Sequence, residues 1–252
     1  MSSLPSQTVS TADATLPLSV VVPVHNERDN VLPLIEEIVA ALRGQVAFEI
    51  VYVDDASRDD TLAVLRDART RYPELRVVRH LSQSGQSTAV RNGVKHARGA
   101  WIATLDGDGQ NDPADIRKLL AARERAAAGV KLFAGWRVDR RDDFVKRISS
   151  KIANGVRSRL LRDATPDTGC GIKLFERELF LDLPAFDHMH RFLPALVQRA
   201  GHGVESVPVN HRARTRGVSK YGMWNRLWVG ISDLRGVSWL IRRHRRTQTE
   251  EI

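Results

Sequence analysis

The sequence of 252 residues predicts an α/β fold in which an open, mostly parallel sheet carries helices on both faces. Short β-branched runs alternate with segments of helical periodicity from residue 18 onward. The first run, Leu18–Val24, is almost continuously apolar, which is typical of a parallel strand covered on both faces. The sequence has no internal repeat and no linker long enough to divide it, so we predict one domain with a carboxyl-terminal appendage.

The individual elements follow in chain order. Strands are predicted at Leu18–Val24, Glu49–Val53, Leu75–Arg79 and 100–105. Between them, helices are predicted at Asn30–Arg43, at 59–71 with Asp59 as the N-cap, at Ser87–Ala97 and at Pro113–Ala127. The regularity weakens after Gly135, where we expect a basic helix at Asp142–Leu161, strands at Gly171–Phe175 and Val204–Val209, and helices at Arg191–Ala200 and Lys220–Arg246.

Composition narrows the class of protein. A formal net charge of +9 and a pI near 10.3 favour an anionic partner, which could be a nucleic acid, a nucleotide or a membrane surface. Cys170 is the single cysteine, so an internal disulfide is excluded and nothing indicates an extracellular protein. Residues 1–17 lack the basic start and apolar core of a signal peptide, and we expect a disordered tail. No apolar run approaches the roughly 18–20 residues that span a bilayer.

An acidic turn follows the fourth predicted strand, in the sequence DGDGQNDP at 106–113. Asp106 and Asp108 supply two carboxylates, and Gln110 supplies an amide oxygen two residues later. Mg²⁺ takes oxygen ligands and needs only one or two carboxylates when substrate phosphates complete its shell. Because Asp, Gly, Asn and Pro also form ordinary turns, the spacing alone leaves the two interpretations open.

Two further acidic loops favour the interpretation as a metal site. The first predicted strand ends in PVHNE at 23–27, and the second ends in DDASRDDT at 54–61. Ligands of open α/β sheets bind at the carboxyl ends of strands, where three acidic loops would repel one another without a cation or hydrogen-bond donors. The sequence has neither a GxxxxGK loop nor a GxGxxG turn, which disfavours P-loop enzymes and dinucleotide dehydrogenases.

A family resemblance covers nearly the whole chain from residue 18 to 240. The segments that carry it, in order, are VVPVHNE at 21–27, VDDASRDDT at 53–61, GQSTAVRNGVKHARG at 85–99, DGDGQNDP at 106–113, KRISSKIAN at 146–154, DTGCGIKLFERE at 167–178, RFLPAL at 191–196 and RTRGVSKYG at 214–222. The chain resembles family 2 glycosyltransferases of GT-A fold, in the polyprenyl-phosphate sugar transferase branch typified by dolichol-phosphate mannosyltransferase. The resemblance implies a catalytic domain at 18–212, then a mobile basic loop and a membrane-proximal helical appendage at 213–252.

The resemblance also implies roles for individual residues. The uridine or guanosine of a nucleotide-diphosphate sugar would be bound by Pro23, His25, Glu27, Asp54, Asp55 and Asp106. Mg²⁺ or Mn²⁺ would be held by Asp106, Asp108 and Gln110. The residues expected to be catalytic are Asp106, Asp108, Arg137 and Arg147. The acceptor phosphate and the departing diphosphate would be bound by Lys146, Arg147, Ser150, Arg214, Arg216 and Lys220.

The basic middle of the chain suits a phosphate acceptor. Relatives that glycosylate a hydroxyl commonly carry an ED-type base and a QxxRW segment, and the sequence contains neither. A phosphate monoester has a second pKa near 6 and needs no base at neutral pH. We therefore expect an inverting transfer to a polyprenyl phosphate. A family 2 enzyme acting on a hydroxyl in polysaccharide or lipopolysaccharide synthesis is the alternative, and a basic nucleic-acid-binding or scaffold protein is the alternative of another class.

The carboxyl-terminal segment predicts contact with a membrane. Its apolar residues include Trp224, Trp228 and Trp239, and arginines surround them. This composition is typical of an amphipathic helix lying in the membrane interface, so we expect a peripheral protein on the cytoplasmic face of the membrane. A helix packed on the sheet with an exposed basic tail is the alternative. Many relatives continue into transmembrane helices, which leaves a membrane-protein partner open.

No catalytic role is predicted for several other reactive side chains. Cys170 is expected to be a small packed residue, and no role is assigned to the histidines at 188, 190 and 211. Arg140, Arg141 and Arg157 are expected on a solvated helix face.

Overall fold

The computed structural model describes the core of the chain and part of its carboxyl-terminal region. The described residues are 16–138, 157, 160, 161, 163, 165–210, 212, 223–245 and 250, with the backbone alone for 223–228. Predictions for the tail before residue 16, for most of the basic helix at Asp142–Leu161 and for the loop before residue 223 lie outside this set.

Seven strands form one sheet within the described residues. They are β1 Leu18–Val24, β2 Phe48–Asp54, β3 Leu75–Arg79, β4 Trp101–Thr104, β5 Val130–Arg137, β6 Lys173–Glu176 and β7 Gly203–Val209. The helices are α1 Arg28–Leu42, α2 Thr61–Arg71, α3 Gln86–His96, α4 Asp115–Arg125, α5 Arg177–Asp182, α6 Leu193–Ala200 and α7 Met223–Arg243, with a 3₁₀ turn at Met189–Arg191. The predicted elements that fall within the described residues are confirmed to within a few residues, and α5 is an element that the periodicity does not predict.

The strand order is β3-β2-β1-β4-β6-β5-β7. The strands from β3 to β4 are parallel, as predicted, and β5 is parallel to β7. β6 is antiparallel to both of its neighbours, and Lys173 pairs with Thr104. The antiparallel direction brings the first residue of β6 to the carboxyl end of β4. Because the chain turns to opposite sides after β1 and β4, the carboxyl ends of these two strands border the crevice where open sheets bind ligands.

Each face of the sheet has its own apolar core. On one face, Leu34, Ile35 and Ile38 of α1 pack with Leu65 of α2 and Ile116 of α4. The other face is covered by side chains of α3, α5, α6 and α7, including Val90, Val94, Phe180, Leu196 and Val237. Each large apolar side chain that is fully buried contributes about 1.5–3 kcal/mol to folding. Helices therefore cover both faces, as the continuous apolar strands predict.

The helix α7 packs on the second face through a limited contact. Val237 is buried there, and the Arg199 guanidinium donates from Nε to the Leu240 carbonyl over 3.1 Å. His188 Nδ1 lies 2.9 Å from Asp233 Oδ2 and links α7 to the 3₁₀ turn. Trp239 is 58% exposed. Among the described residues, none of the helices combines the length and the apolar content that crossing a bilayer requires.

Candidate active site

The loops after β1 and β2 form one wall of the site. His25 donates from Nδ1 to the Asp55 carbonyl over 2.7 Å. The Glu27 N–H donates to Thr61 Oγ1 over 2.9 Å, and Pro23 lies half-buried before both residues. The structure thus brings the nucleotide-binding residues predicted from β1 next to those predicted from β2.

Asp54 and Asp55 use their carboxylates differently. Asp54 is fully buried, and its Oδ1 accepts the Ser57 N–H over 3.2 Å. Its Oδ2 has no hydrogen-bond partner within the described part of the chain, which suits a residue that gains a donor when a ligand binds. The Asp55 carboxylate accepts the N–H groups of Ser84 and Gly85, each over 2.8 Å. Asp55 therefore holds the loop that leads into α3, and its predicted role in nucleotide binding stays a prediction.

The acidic turn after β4 is built by local hydrogen bonds. The Asp106 N–H donates to Asn111 Oδ1 over 3.0 Å, and the Gln110 N–H donates to Asp108 Oδ1 over 3.1 Å. Gly107 packs so closely on β1 that a Cβ at this position would lie 2.4 Å from Val24 Cγ1. A side chain at residue 107 would thus push the turn away from β1, and glycine is the residue that fits.

The Asp106 carboxylate points into a crowded, partly buried position. Its Oδ1 accepts a hydrogen bond from Gln86 Nε2 over 2.8 Å, and a Cβ at Gly171 would lie 2.1 Å from Oδ2. Burial raises the pKa of Asp106, and the neighbouring Asp108 raises it further, although Lys173 and Arg137 act in the opposite direction. Two carboxylates that oppose each other's ionisation are the arrangement that a divalent cation stabilises.

The residues fit a magnesium-type site better than an all-protein metal cage. No cluster of three or more His, Cys, Asp or Glu side chains suited to a metal occurs among the residues that the structure describes. Mg²⁺ and Mn²⁺ are hard cations that accept one or two carboxylates with water and phosphate oxygens, so Asp106 and Asp108 suffice as the protein's share. The assignment of these residues to a metal stays a prediction.

Gln110 is linked to the segment after β7. Its Nε2 lies 3.5 Å from the Arg212 carbonyl, and the Arg212 N–H donates to the Gln110 carbonyl over 3.1 Å. Arg212 also forms an ion pair with Asp112 at 2.9 Å. These contacts hold the end of the acidic turn against residue 212, and the role of Gln110 as a metal ligand stays a prediction.

Arg137, at the end of β5, lies beside the site but is engaged by an acidic partner. Its Nε and Nη2 donate to the two carboxylate oxygens of Asp167 over 2.6 and 2.9 Å. Burial lowers the pKa of Arg137, but the pairing with Asp167 outweighs it and leaves this pKa raised. Arg137 therefore stays charged and positions the 167–173 segment, and its predicted contact with a phosphate remains a prediction.

A cavity of about 150 Å³ opens between the acidic turn, the first turn of α3, the 168–173 segment and the 3₁₀ turn. Its polar wall is formed by Gln86, Asp106, Thr168, Lys173, His190 and Arg191. Pro23 and Phe175 contribute apolar surface to it. The cavity lies at the carboxyl ends of β1 and β4, where the topology predicts a ligand.

Of the six polar residues of this wall, Asp106 alone belongs to the sequence-based prediction of the site, and Lys173 and His190 are two of those that it missed. Lys173 is buried, and its Nζ donates to the Cys170 carbonyl. His190 lies with Nδ1 2.7 Å from Ser87 Oγ, and burial, with the charge of Lys173, lowers its pKa to about 3. The only sequence signal for Lys173 is its position in the DTGCGIK segment, and periodicity places it on a strand without indicating its neighbour.

Some of the remaining predictions concern residues outside the described part of the chain, and the structure tests the others. Six predicted residues lie outside the described residues: Lys146, Arg147, Ser150, Arg214, Arg216 and Lys220. Cys170 is buried, as predicted. The expected solvated position of Arg157 is wrong: its side chain is buried, donates to the Thr165 carbonyl over 2.6 Å and lies 3.6 Å from Asp163. A charge pattern alone does not reveal that an acidic residue a few positions later draws this arginine inward.

Comparisons with known sequences show the family to which the chain belongs. The model of the family described as glycosyl transferase family 2 matches residues 19–183. The chain is 37% identical over 233 residues to a dodecaprenyl-phosphate galacturonate synthase of Rhizobium johnstonii, covering 90% of this chain and 68% of that protein. It is 34% identical to an undecaprenyl-phosphate 4-deoxy-4-formamido-L-arabinose transferase of Edwardsiella ictaluri, covering 82% of this chain and 63% of that protein. The chain thus spans about two thirds of the length of these relatives.

Solved structures agree on the fold. A glucosyl-3-phosphoglycerate synthase of Mycobacterium tuberculosis, in complex with Mn²⁺ and uridine diphosphate, superposes with a TM-score of 0.66 at 18% identity, covering 90% of this chain and 80% of that one. A mannosyltransferase of Pyrobaculum calidifontis, in complex with GDP-mannose and Mn²⁺, has a TM-score of 0.63 at 20% identity, covering 92% of this chain and 66% of that one. With its open sheet, its acidic strand ends and the extent of the family match, the chain belongs to glycosyltransferase family 2.

Proposed function

We propose that this protein transfers one sugar from a nucleotide diphosphate to the phosphate of a polyprenyl lipid, with inversion at the anomeric carbon. The observation that carries the proposal is the cavity that lies between the acidic turn and a basic wall. Asp106, the buried Lys173 and the exposed Arg191 all line it. The transferred sugar of a donor held on a divalent cation would enter such a cavity, and the exposed Arg191 would meet a second, anionic substrate.

The donor would lie along the acidic strand ends. We propose that Asp54 and the loop after β1 bind the nucleoside, and that Asp106 and Asp108 hold Mg²⁺ or Mn²⁺. The cation would neutralise negative charge on the departing diphosphate. The Gln86 amide fixes the orientation of Asp106 through its 2.8 Å hydrogen bond, so the carboxylate is held in place before the donor binds.

The chemistry of the cavity wall favours a phosphate acceptor. A hydroxyl acceptor needs a base to take its proton, and a base with a pKa far below neutrality does this poorly. His190, the imidazole in the wall, has its pKa lowered to about 3. A phosphate monoester is largely ionised at neutral pH and can attack without a base. The names of the two sequence relatives, both polyprenyl-phosphate sugar enzymes, support the same choice.

We further propose a peripheral position on the cytoplasmic face of the membrane. Trp239 is largely exposed on α7, and Arg242 and Arg243 are exposed one turn later. An aromatic side chain next to cationic ones is typical of a helix that lies in the interface with anionic lipid headgroups. The membrane-protein partner left open by the sequence stays a prediction.

A transfer assay tests the proposal. The full chain is incubated with Mn²⁺, radiolabelled UDP- and GDP-sugars, and either undecaprenyl phosphate or undecaprenol, which lacks the phosphate. We expect labelled lipid only with undecaprenyl phosphate, and loss of product when EDTA removes the metal. Product on undecaprenol or on free saccharides, with none on undecaprenyl phosphate, would overturn the proposal in favour of a hydroxyl acceptor.

A further inference from the structure

Lys173 is a buried cation with unused hydrogen-bonding capacity. Lys173 is the first residue of β6, and it is only 4% exposed to solvent. An ammonium group carries three N–H donors, and the part of the chain described here offers Nζ one acceptor, the Cys170 carbonyl. Burial lowers the pKa of Lys173, although Cys170 and Asp106 oppose the effect. A charge that is costly to bury and incompletely hydrogen-bonded indicates a missing anionic ligand.

The cavity next to Lys173 has the size of one monosaccharide. Its volume is about 150 Å³, which is room for several water molecules. This volume accommodates a single pyranose ring. It is too small to hold a nucleoside diphosphate in addition to that ring. Asp106 lies in the same wall, so a ring in the cavity would lie next to the proposed cation and diphosphate.

The charges around the cavity favour an anionic occupant. Its charged lining comprises Asp106, Lys173 and Arg191, and His190 is neutral at physiological pH because its pKa is lowered to about 3. Arg191 is exposed to solvent, and the charge of Lys173 is opposed by Asp106, which is proposed to bind the cation, and by Asp167, which already pairs with Arg137. A neutral sugar hydroxyl would accept a hydrogen bond from Lys173 but add no negative charge beside its ammonium group. A carboxylate on the sugar would satisfy both requirements.

We propose that this cavity binds the transferred sugar and that this sugar is a hexuronic acid whose carboxylate pairs with the Lys173 ammonium group. The proposal deepens the proposed function and rests on it for the position of the donor. Lys173 thereby determines which nucleotide sugar is accepted. It lies on β6, outside the acidic strand ends that bind the nucleotide and the cation.

Matched donor pairs test this specificity. Dissociation constants are measured with Mn²⁺ for UDP-galacturonate against UDP-galactose, UDP-glucuronate against UDP-glucose, and GDP-mannuronate against GDP-mannose. Each pair differs only at C6, where the first member has a carboxylate. We expect one uronate to bind about 10- to 100-fold more tightly than its neutral partner, the range that one charge-assisted hydrogen bond provides. Equal or tighter binding of every neutral partner would overturn the proposal.

The variant Lys173→Met assigns the preference to the residue. It keeps the length of the side chain and removes the charge, and we expect it to abolish the uronate preference while UDP or GDP binds as before. Loss of UDP and GDP affinity to the same extent would assign Lys173 to the diphosphate and overturn the proposal. The control is Lys131→Met on β5, whose ammonium already pairs with Glu176 at 2.6 Å and should leave the preference intact.

Thermal stability provides a second readout. Replacing a buried, poorly compensated charge with an apolar side chain of similar volume is often neutral or stabilising, so Lys173→Met should melt at or above the temperature of the wild type. A strongly destabilised Lys173→Met that retains the uronate preference would show a purely structural lysine and overturn the proposal.

The proposed function and the proposed uronate specificity can fail separately. Transfer of a neutral sugar to undecaprenyl phosphate refutes only the uronate specificity. Uronate binding without transfer to that lipid refutes only the proposed acceptor.

Discussion

The two walls of the cavity contrast in origin and in charge. The acidic wall comes from the ends of β1, β2 and β4, which are parallel strands that share one edge by topology alone. The basic wall comes from the 167–173 segment and the 3₁₀ turn, which reach the same edge because β6 runs antiparallel to β4. Asp106 and Lys173 are thus neighbours although 67 residues separate them. The acidic half of the site therefore follows from the local sequence pattern. The basic half depends on the pairing of strands that are far apart in the sequence.

The largest expected effect concerns the anchoring of the basic wall. Asp167→Asn leaves the guanidinium of Arg137 without its bidentate carboxylate in a largely buried position. Breaking a buried pair by removing one partner costs about 3–5 kcal/mol, so we expect the free energy of unfolding in urea to fall by about that amount. Asp67→Asn is the control, because the pair of Asp67 with Arg71 is exposed and contributes less than about 1 kcal/mol. Equal effects of the two variants would contradict an anchoring role.

The second effect tests the acidic wall. Asp108→Asn removes one of the two carboxylates proposed to hold the cation, and we expect kcat to fall about 10²- to 10³-fold, the range for losing one charge-stabilising group. Mn²⁺-dependent binding of UDP or GDP, measured by calorimetry, should weaken while the melting temperature stays near that of the wild type. Unchanged turnover would remove Asp108 from the metal site.

The third effect tests the close contact between the walls. In Gly171→Ala the new Cβ would lie 2.1 Å from Asp106 Oδ2, a distance at which the carboxylate must move. A displacement of about 1 Å in a catalytic group can cost about 100-fold in rate, and we expect a loss of that order in kcat. Gly129→Ala is the matched control, because a Cβ there meets nothing within 4 Å. Full activity of Gly171→Ala would mean that the walls adjust independently.

The smallest effect concerns the orientation of Asp106. Gln86→Ala removes a hydrogen bond to the carboxylate, which should raise the pKa of Asp106 further because that bond lowers it. We expect nucleotide binding with Mn²⁺ to weaken about 3- to 10-fold near neutral pH, and the loss to grow as pH falls and Asp106 protonates. Calorimetric titrations across pH check the trend, with Gln45→Ala, at an exposed turn, as the control. A loss that is independent of pH would contradict the link to Asp106.

Sequence reasoning reached the acidic wall residue by residue. Asp54, Asp55, Asp106 and Asp108 lie at the strand ends that periodicity predicts, and the loops after β1 and β2 are joined by hydrogen bonds. It did not identify Lys173 or the neutral state of His190, because both depend on burial by neighbours far away in the sequence. It also misjudged Arg157, whose burial depends on Asp163 and Thr165.

The sequence by itself determined the α/β class, the acidic carboxyl edge of the sheet and the family, because these follow from local periodicity and from short ordered motifs. Only the tertiary structure decided what faces the acidic turn. The antiparallel pairing of β6 with β4 sets Lys173 beside Asp106, and the folded chain removes Lys173 almost completely from water. Periodicity is a property of neighbouring residues, whereas burial and electrostatic coupling depend on every element that packs around a side chain. The residue proposed to choose the sugar therefore becomes apparent only when the chain is folded.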